Sequence, residues 1–293
     1  MTVRFHLTVP TTASETAVLP GFMTDPRPAP RLREPLSAAR AAELSGLDGV
    51  AVRFDPDGVE SLVTAAGLLR ASRRLQVTAE FHPAIASPVY AAKLSASLQR
   101  FSANRLAWRL LVDLDPAAAR AHGDFLPEAD RYARAAEFLT VAKGVWSGRD
   151  YTHEGRFYQV LGGGLPESRS APWFPRVYLS GTSPEALALS AAHADVHVFT
   201  RADDLGLAPA GVAAGLVLPV LAREDEREAR LAAQQAGFPG LAGSFAGIAK
   251  NLSVLIDRGV SEFFLAPPDP VADGYLLGQH VLGEIGEEWA HVG

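Results

Sequence analysis

Polar residues stand at or near the ends of several short apolar runs: Arg53 and Asp55, Glu80 and His82, Arg109 and Asp113, and His197. These residue types do acid–base and anion-binding chemistry. An imidazole titrates near neutrality, so His82 is a candidate general base. Arginine presents a planar fork of donors that suits a carboxylate or a phosphate, which makes Arg109 a candidate anion binder. Strand alternation puts Arg109, Leu111 and Asp113 on one face. A charge turned into the interior is costly without a partner, so an inward Arg109 calls for Glu80 or Asp113 beside it. Glu80, His82, Arg109 and Asp113 form the candidate catalytic set, with Arg53 and His197 as candidate substrate contacts. Plainer roles compete: a loop-bonded His82, a structural Arg109–Glu80 ion pair, and a His197 that faces helices. His6, His153, His193 and His291 show no partner signature and read as surface or packing residues. The chain has no cysteine. That excludes disulfides, thiolate metal sites and cysteine nucleophiles, and it fits a reducing cytoplasm. No metal site is read.

The elements that must position these residues follow a βα rhythm. Strand-like runs occupy residues 3–9, 49–55, 76–81, 106–112, 176–179, 196–200, 215–221 and 262–266. Helical spacing covers 37–45, 59–72, 88–99, 127–146, 184–192, 224–236, 245–258 and 275–287. Ser87 is a plausible cap for the helix that Pro88 opens, with proline at the tolerated first position. Residues 150–161 alternate like a hairpin that turns at Glu154-Gly155. The Pro-rich segment 20–35 reads as a solvated loop or a lid. Strands alternating with helices, with no linker or repeat, predict one α/β domain over residues 1–293: a (β/α)8 TIM barrel. Active sites of such barrels lie at the C-terminal strand ends, where the candidate set falls.

Charge and hydropathy narrow the function classes. The 293 residues carry a net charge of −6 and are 48% hydrophobic. Phosphate neutralisation needs a clustered basic surface, so no nucleic-acid partner is expected. The start MTVRFHLTVP lacks the features of a signal peptide, and no apolar run is long enough to cross a bilayer. The expectation is a soluble cytoplasmic protein.

Several stretches then resemble one family in order along nearly the whole chain. They are His82-Pro83-Ala84-Ile85-Ala86-Ser87-Pro88, followed by Ala91-Ala92-Lys93 and by Leu98 to Arg105. Asp130-Arg131-Tyr132, Glu137-Phe138-Leu139, the hairpin from Asp150 to Val160, Ser180-Gly181-Thr182-Ser183, Ala242-Gly243-Ser244 and Arg258 to Phe263 come next. The pattern is similar to the alkanesulfonate monooxygenase branch of the bacterial luciferase-like flavin monooxygenases. The resemblance implies a barrel that uses reduced FMN from a separate flavin reductase, with O2, to oxygenate a small molecule. It also implies a homodimer formed through the helices 59–72 and 88–99. Ser180, Gly181, Thr182 and Ser183 align with the family's phosphate turn, and Tyr132 with a tyrosine near that phosphate. A helix opening at Pro184 supports that role, because its first N–H groups lack helical partners and its dipole favours an anion. The deazaflavin F420 presents a phosphate to the same turn, so it remains the alternative cofactor.

The rest of the family site is rewritten. The "N-x-V-T-G" end of the fourth strand is Arg109-Leu110-Leu111-Val112-Asp113, and Asp113 would bring bulk and negative charge towards the flavin. The family's seventh-strand Arg and His align with Val217 and Pro219, its eighth-strand Tyr near Pro268, and a common first-strand His with Thr12. The insertion after the seventh strand is short. With the sulfonate-binding cation gone, a non-sulfonate substrate is expected. Two alternatives stand beside the monooxygenase: a non-catalytic partner subunit, and a barrel repurposed for flavin-independent catalysis through Glu80, His82, Arg109 and Asp113.

Overall fold

The structure, a computed structural model, describes residues 2–11, 33–84, 86–165 and 173–285. In chain order the first half runs β1 (Arg4–Val9), α1 (Arg33–Leu44), β2 (Gly49–Val52), α2 (Ser61–Ala71), β3 (Gln76–Phe81), α3 (Pro88–Ser102), β4 (Leu106–Leu110), α4 (Pro116–Ala121) and α5 (Glu128–Ser147). A hairpin follows, β5 (Tyr151–Glu154) with β6 (Gln159–Gly163). The second half is β7 (Arg176–Ser180), α6 (Pro184–His193), β8 (Val196–Phe199), β9 (Ala213–Arg223), α7 (Glu226–Ala236), β10 (Leu241–Ser244), α8 (Phe245–Asp257), β11 (Val260–Ala266) and α9 (Ala272–Leu276).

The main sheet has nine strands, and β10 pairs in it with β9 alone. The other strands close into a parallel barrel, with β1 joined to both β2 and β11, and β9 to both β8 and β11. The fold is therefore the (β/α)8 barrel that the sequence predicts. Capping explains where its helices start. Ser87 accepts from the Tyr90 N–H at 3.2 Å ahead of Pro88, and Ser183 accepts from the Ala186 N–H at 3.2 Å ahead of Pro184.

Some boundaries differ from the sequence reading. The helix expected from residue 37 begins at Arg33, so the last residues of the Pro-rich stretch 20–35 are helical. The rest of that stretch and Thr12 lie outside the described residues, as does His291. β4 stops at Leu110 rather than at residue 112, and α4 and β10 were not anticipated. The helix expected from residue 275 starts at Ala272 and passes into a π turn at Leu277–Val281.

β9 changes partners along its length. Its residues up to Pro219 pair with β11, and Val220 to Arg223 pair with β10. Proline has no N–H to donate to a ladder, so Pro219 sits where one pairing ends and the next begins.

Strand alternation sorts the core into two layers. Ala51, Ala107, Tyr178, Val196, Val198 and Phe264 pack inside the barrel, while a larger cluster fills the space between strands and helices. The inside is not wholly apolar. Glu262 is buried there and accepts from His6 Nε2 at 3.1 Å, the Tyr178 hydroxyl at 2.6 Å and Arg176 Nη2 at 2.7 Å. The Tyr178 hydroxyl in turn accepts from Gln76 Nε2 at 2.7 Å. Burial pushes the Glu262 carboxyl up, but the bonds from His6 and Tyr178 and the Arg176 charge outweigh it and hold the pKa at about 2. His6, expected as a surface or packing residue without a partner, is thus a fully buried member of this network.

Removing one partner of a buried pair strands the other charge, so Glu262→Gln should cost roughly 3 kcal/mol of unfolding free energy. Urea denaturation followed by circular dichroism measures this. A loss below about 0.5 kcal/mol would show that the network carries no net stability.

Candidate functional site

Glu80 and Arg109 are register partners on the neighbouring strands β3 and β4, so their side chains share the barrel interior. Arg109 Nη1 donates to Glu80 Oε1 at 2.8 Å, and the other carboxylate oxygen accepts from the Phe54 N–H at 3.3 Å. The guanidinium also lies over the Phe264 ring, 5.5 Å from its centroid. Both charged residues are buried. The pairing anticipated for an inward Arg109 is therefore present, near the C-terminal strand ends. Arg109 Nε is buried without a protein partner.

Asp113 does not join them. Because β4 ends at Leu110, the alternation that would align Asp113 with Arg109 is lost. Its exposed carboxylate instead accepts a short hydrogen bond from the Tyr132 hydroxyl on α5.

His82 is also redirected. It is buried just past β3 among Asp124, Arg131 and Arg134. Its Nδ1 accepts from the Ala84 N–H at 3.2 Å, which leaves the proton on Nε2, 3.5 Å from Asp124 Oδ2. A general base needs a free acceptor nitrogen, and this ring has none to offer. Burial and the Arg134 charge push its pKa down to about 4, against the pull of Asp124. Asp124 itself is held by Arg134 through two bonds, at 3.0 and 2.8 Å. No local pattern marked this cluster in the sequence, because its members come from a loop and a helix that meet only in the fold.

His197 faces the helices. Its Nδ1 lies 2.7 Å from Ser190 Oγ on α6, and its ring packs beside Phe199. Its substrate-contact role gives way to the plainer one, because its register partner Leu179 belongs to the outer core. Arg53 is exposed just after β2, with its backbone tied to Val9 and Thr11. Val217 packs against the inner core and Pro268 is exposed, so neither supplies a polar group.

The turn from β7 into α6 brings the remaining candidates together. Gly181 has φ +119°, a conformation that side chains rarely adopt. A Cβ built there would lie 2.7 Å from Ala186 Cβ, 3.3 Å from the Tyr132 hydroxyl and 3.6 Å from Asp113 Oδ2. Ser183 also reaches the Tyr132 hydroxyl. Burial and the Asp113 carboxylate push the Tyr132 pKa up, so the phenol keeps its proton and can donate. Tyr132, Gly181, Ser183 and Asp113 therefore line one small cradle at the start of a capped ten-residue helix.

Residues 3–214 match the sequence profile described as luciferase-like monooxygenase. The chain belongs to that family. Among solved structures, this luciferase-like barrel is similar to the EDTA monooxygenase of Chelativorans sp. BNC1, at 17% identity and a TM-score of 0.77. That match covers 97% of this chain and 94% of the other. It is also similar to a riboflavin lyase solved with modified FMN and riboflavin, at 16% identity, 98% and 92% coverage and a TM-score of 0.77. A third is an F420-dependent secondary alcohol dehydrogenase in complex with an F420–acetone adduct, at 14% identity, 97% and 98% coverage and a TM-score of 0.75.

Tested against a flavin phosphate, the cradle of this family member is divided. The glycine, the helix start and the tyrosine hydroxyl suit an anion in shape and in hydrogen-bond donors. The Asp113 carboxylate does not, since it repels a phosphate and already accepts the tyrosine's hydrogen bond. A phosphate fits the cradle only with the Asp113 carboxylate out of it.

Neutral His82 is the form the fold favours. Its native pKa of about 4 lies below the ordinary value of 6.5, so its stabilising contribution is whole above about pH 6.5 and is lost as pH falls towards 4. Thermal unfolding between about pH 7.5 and 5 should show the wild type losing more stability than His82→Gln. Equal losses would mean that His82 is not held neutral by the fold.

Proposed function

We propose that this protein is a flavin-type oxidoreductase of the monooxygenase kind, acting on a small organic molecule other than a sulfonate. The observation that carries this reading is the convergence of Tyr132, Gly181 and Ser183 on one cradle beside the start of α6. In a family of flavin chemistry, that is where a cofactor's phosphate end would sit. With Asp113 turned away, Ser180, Gly181, Thr182, Ser183 and Tyr132 would hold it. FMN is the first choice and F420 the second, and relatives solved with each are known. Bound there in reduced form, the flavin would supply electrons to O2 for an oxygenation.

The protein's own contribution is the mouth of the barrel. Arg109 and Glu80 give a buried polar floor that would orient a polar group of the substrate. Val217 and Pro219 leave no cation at the two seventh-strand positions where the family carries its Arg and His, and Arg223 at the end of that strand is paired with Asp273, which argues against a sulfonate. A separate reductase would deliver the reduced flavin. Exposed Val63, Tyr90 and Phe101 on α2 and α3 would serve a homodimer through those helices.

A second reading has its own support. The Asp113 carboxylate in the cradle and the apolar Val112 and Val217 suit a flavin-free partner subunit of a luciferase-like pair.

Anaerobic titration with reduced FMN separates the two. One saturable site is expected. Gly181→Val, with its fold verified by circular dichroism, should weaken it at least about tenfold, or ~1.4 kcal/mol. FMN binding that ignores this substitution would place any flavin elsewhere and end the reading.

A further inference from the structure

The Asp113–Tyr132 contact bears on how the proposed cofactor site is reached. Asp113 lies on the segment between β4 and α4, and its carboxylate accepts a hydrogen bond from the Tyr132 hydroxyl on α5. The same carboxylate oxygen would stand 3.6 Å from a Cβ at Gly181, so it borders the cradle beside the Tyr132 hydroxyl. Among the described residues no cation pairs with Asp113. Arg131, next to Tyr132 on α5, is turned to the Leu114 carbonyl at 3.5 Å and to Asp124 at 3.6 Å. Glu128 adds a further negative charge near Tyr132. The cradle thus has an anion's shape and donors, and an anion of the chain's own inside it.

We infer that Asp113 is a built-in competitor for the cofactor's phosphate, a latch that must withdraw before Tyr132 can bond a ligand there. This inference rests on the flavin reading proposed above. The carboxylate is exposed and needs no burial to leave, so a side-chain rotation into solvent releases Tyr132. The hydrogen bond passes from the carboxylate to the phosphate, and no covalent bond changes. Each binding event loses one good contact before it gains another, and the departing charge still borders the site. The outcome is a loose, exchangeable hold on the phosphate end, with the ring end untouched.

The experiment compares wild type, Asp113→Asn and Asp113→Gly for binding of oxidised FMN and of riboflavin by fluorescence quenching, with circular dichroism to verify folding. Riboflavin has the same ring and no phosphate, so it reports the ring end alone. FMN affinity should rise at least about tenfold in both variants, since like charges in contact are costly, while riboflavin affinity stays within about twofold. Asp113→Asn keeps the side-chain size, so the inference does not hang on one variant that disturbs the loop. Adding Tyr132→Phe to Asp113→Gly should reverse most of the gain.

Equal FMN affinity in wild type and both variants overturns the latch and leaves the flavin reading intact. A parallel rise for riboflavin also overturns it, because Asp113 would then act on the ring. No FMN binding by any folded form overturns the flavin reading, and the latch with it.

Discussion

Every strand of a closed parallel barrel is buried on both faces, so each side chain is committed either to the lumen or to the surrounding helices. That commitment decides which charges meet. Glu262 goes inward and survives there only because Arg176, Tyr178 and His6 satisfy its oxygens. Glu80 goes inward one layer nearer the mouth and meets Arg109. His197 goes outward and is spent on Ser190. The candidate site is what remains after this sorting.

The site that results combines a luciferase-like architecture with unfamiliar contents. A glycine turn, a capped helix and a tyrosine hydroxyl make a cradle of anion-binding shape, and those parts belong to backbone geometry. The loop after β4 supplies a carboxylate to the same place. Function resides in such contents rather than in the fold that displays them. In this chain the scaffold and its decoration pull in opposite directions, and the loop residue sets the balance.

Much of the fold was legible because two local signals agree. Strand-length apolar runs alternate with helical spacing, and capping pairs such as Ser87-Pro88 and Ser183-Pro184 mark helix starts. The Glu80–Arg109 pair was also readable, since adjacent parallel strands with inward charges have few partners to choose from. Asp113 was misplaced because alternation was extended past the point where β4 ends. His82 was misread because its neighbours Asp124 and Arg134 come from a distant loop and helix. His6 was passed over although it sits at an inward position of β1. A polar residue alternating with apolar ones in a barrel strand was the available signal, and its partner Glu262 lies at the other end of the chain.

The partner change at Pro219 also says where this barrel tolerates remodelling. β10 is zipped to the far end of β9 and leads directly into α8 through the Ser244 cap. The connection between β9 and β10 is therefore pinned at both ends like a cartridge in a holder. Grafted segments of new length can enter around α7 without touching the closed strands. A graft that spans β10 must first undo its four registered pairs with β9, and it loses the strand that ties the rim of the barrel to the start of α8.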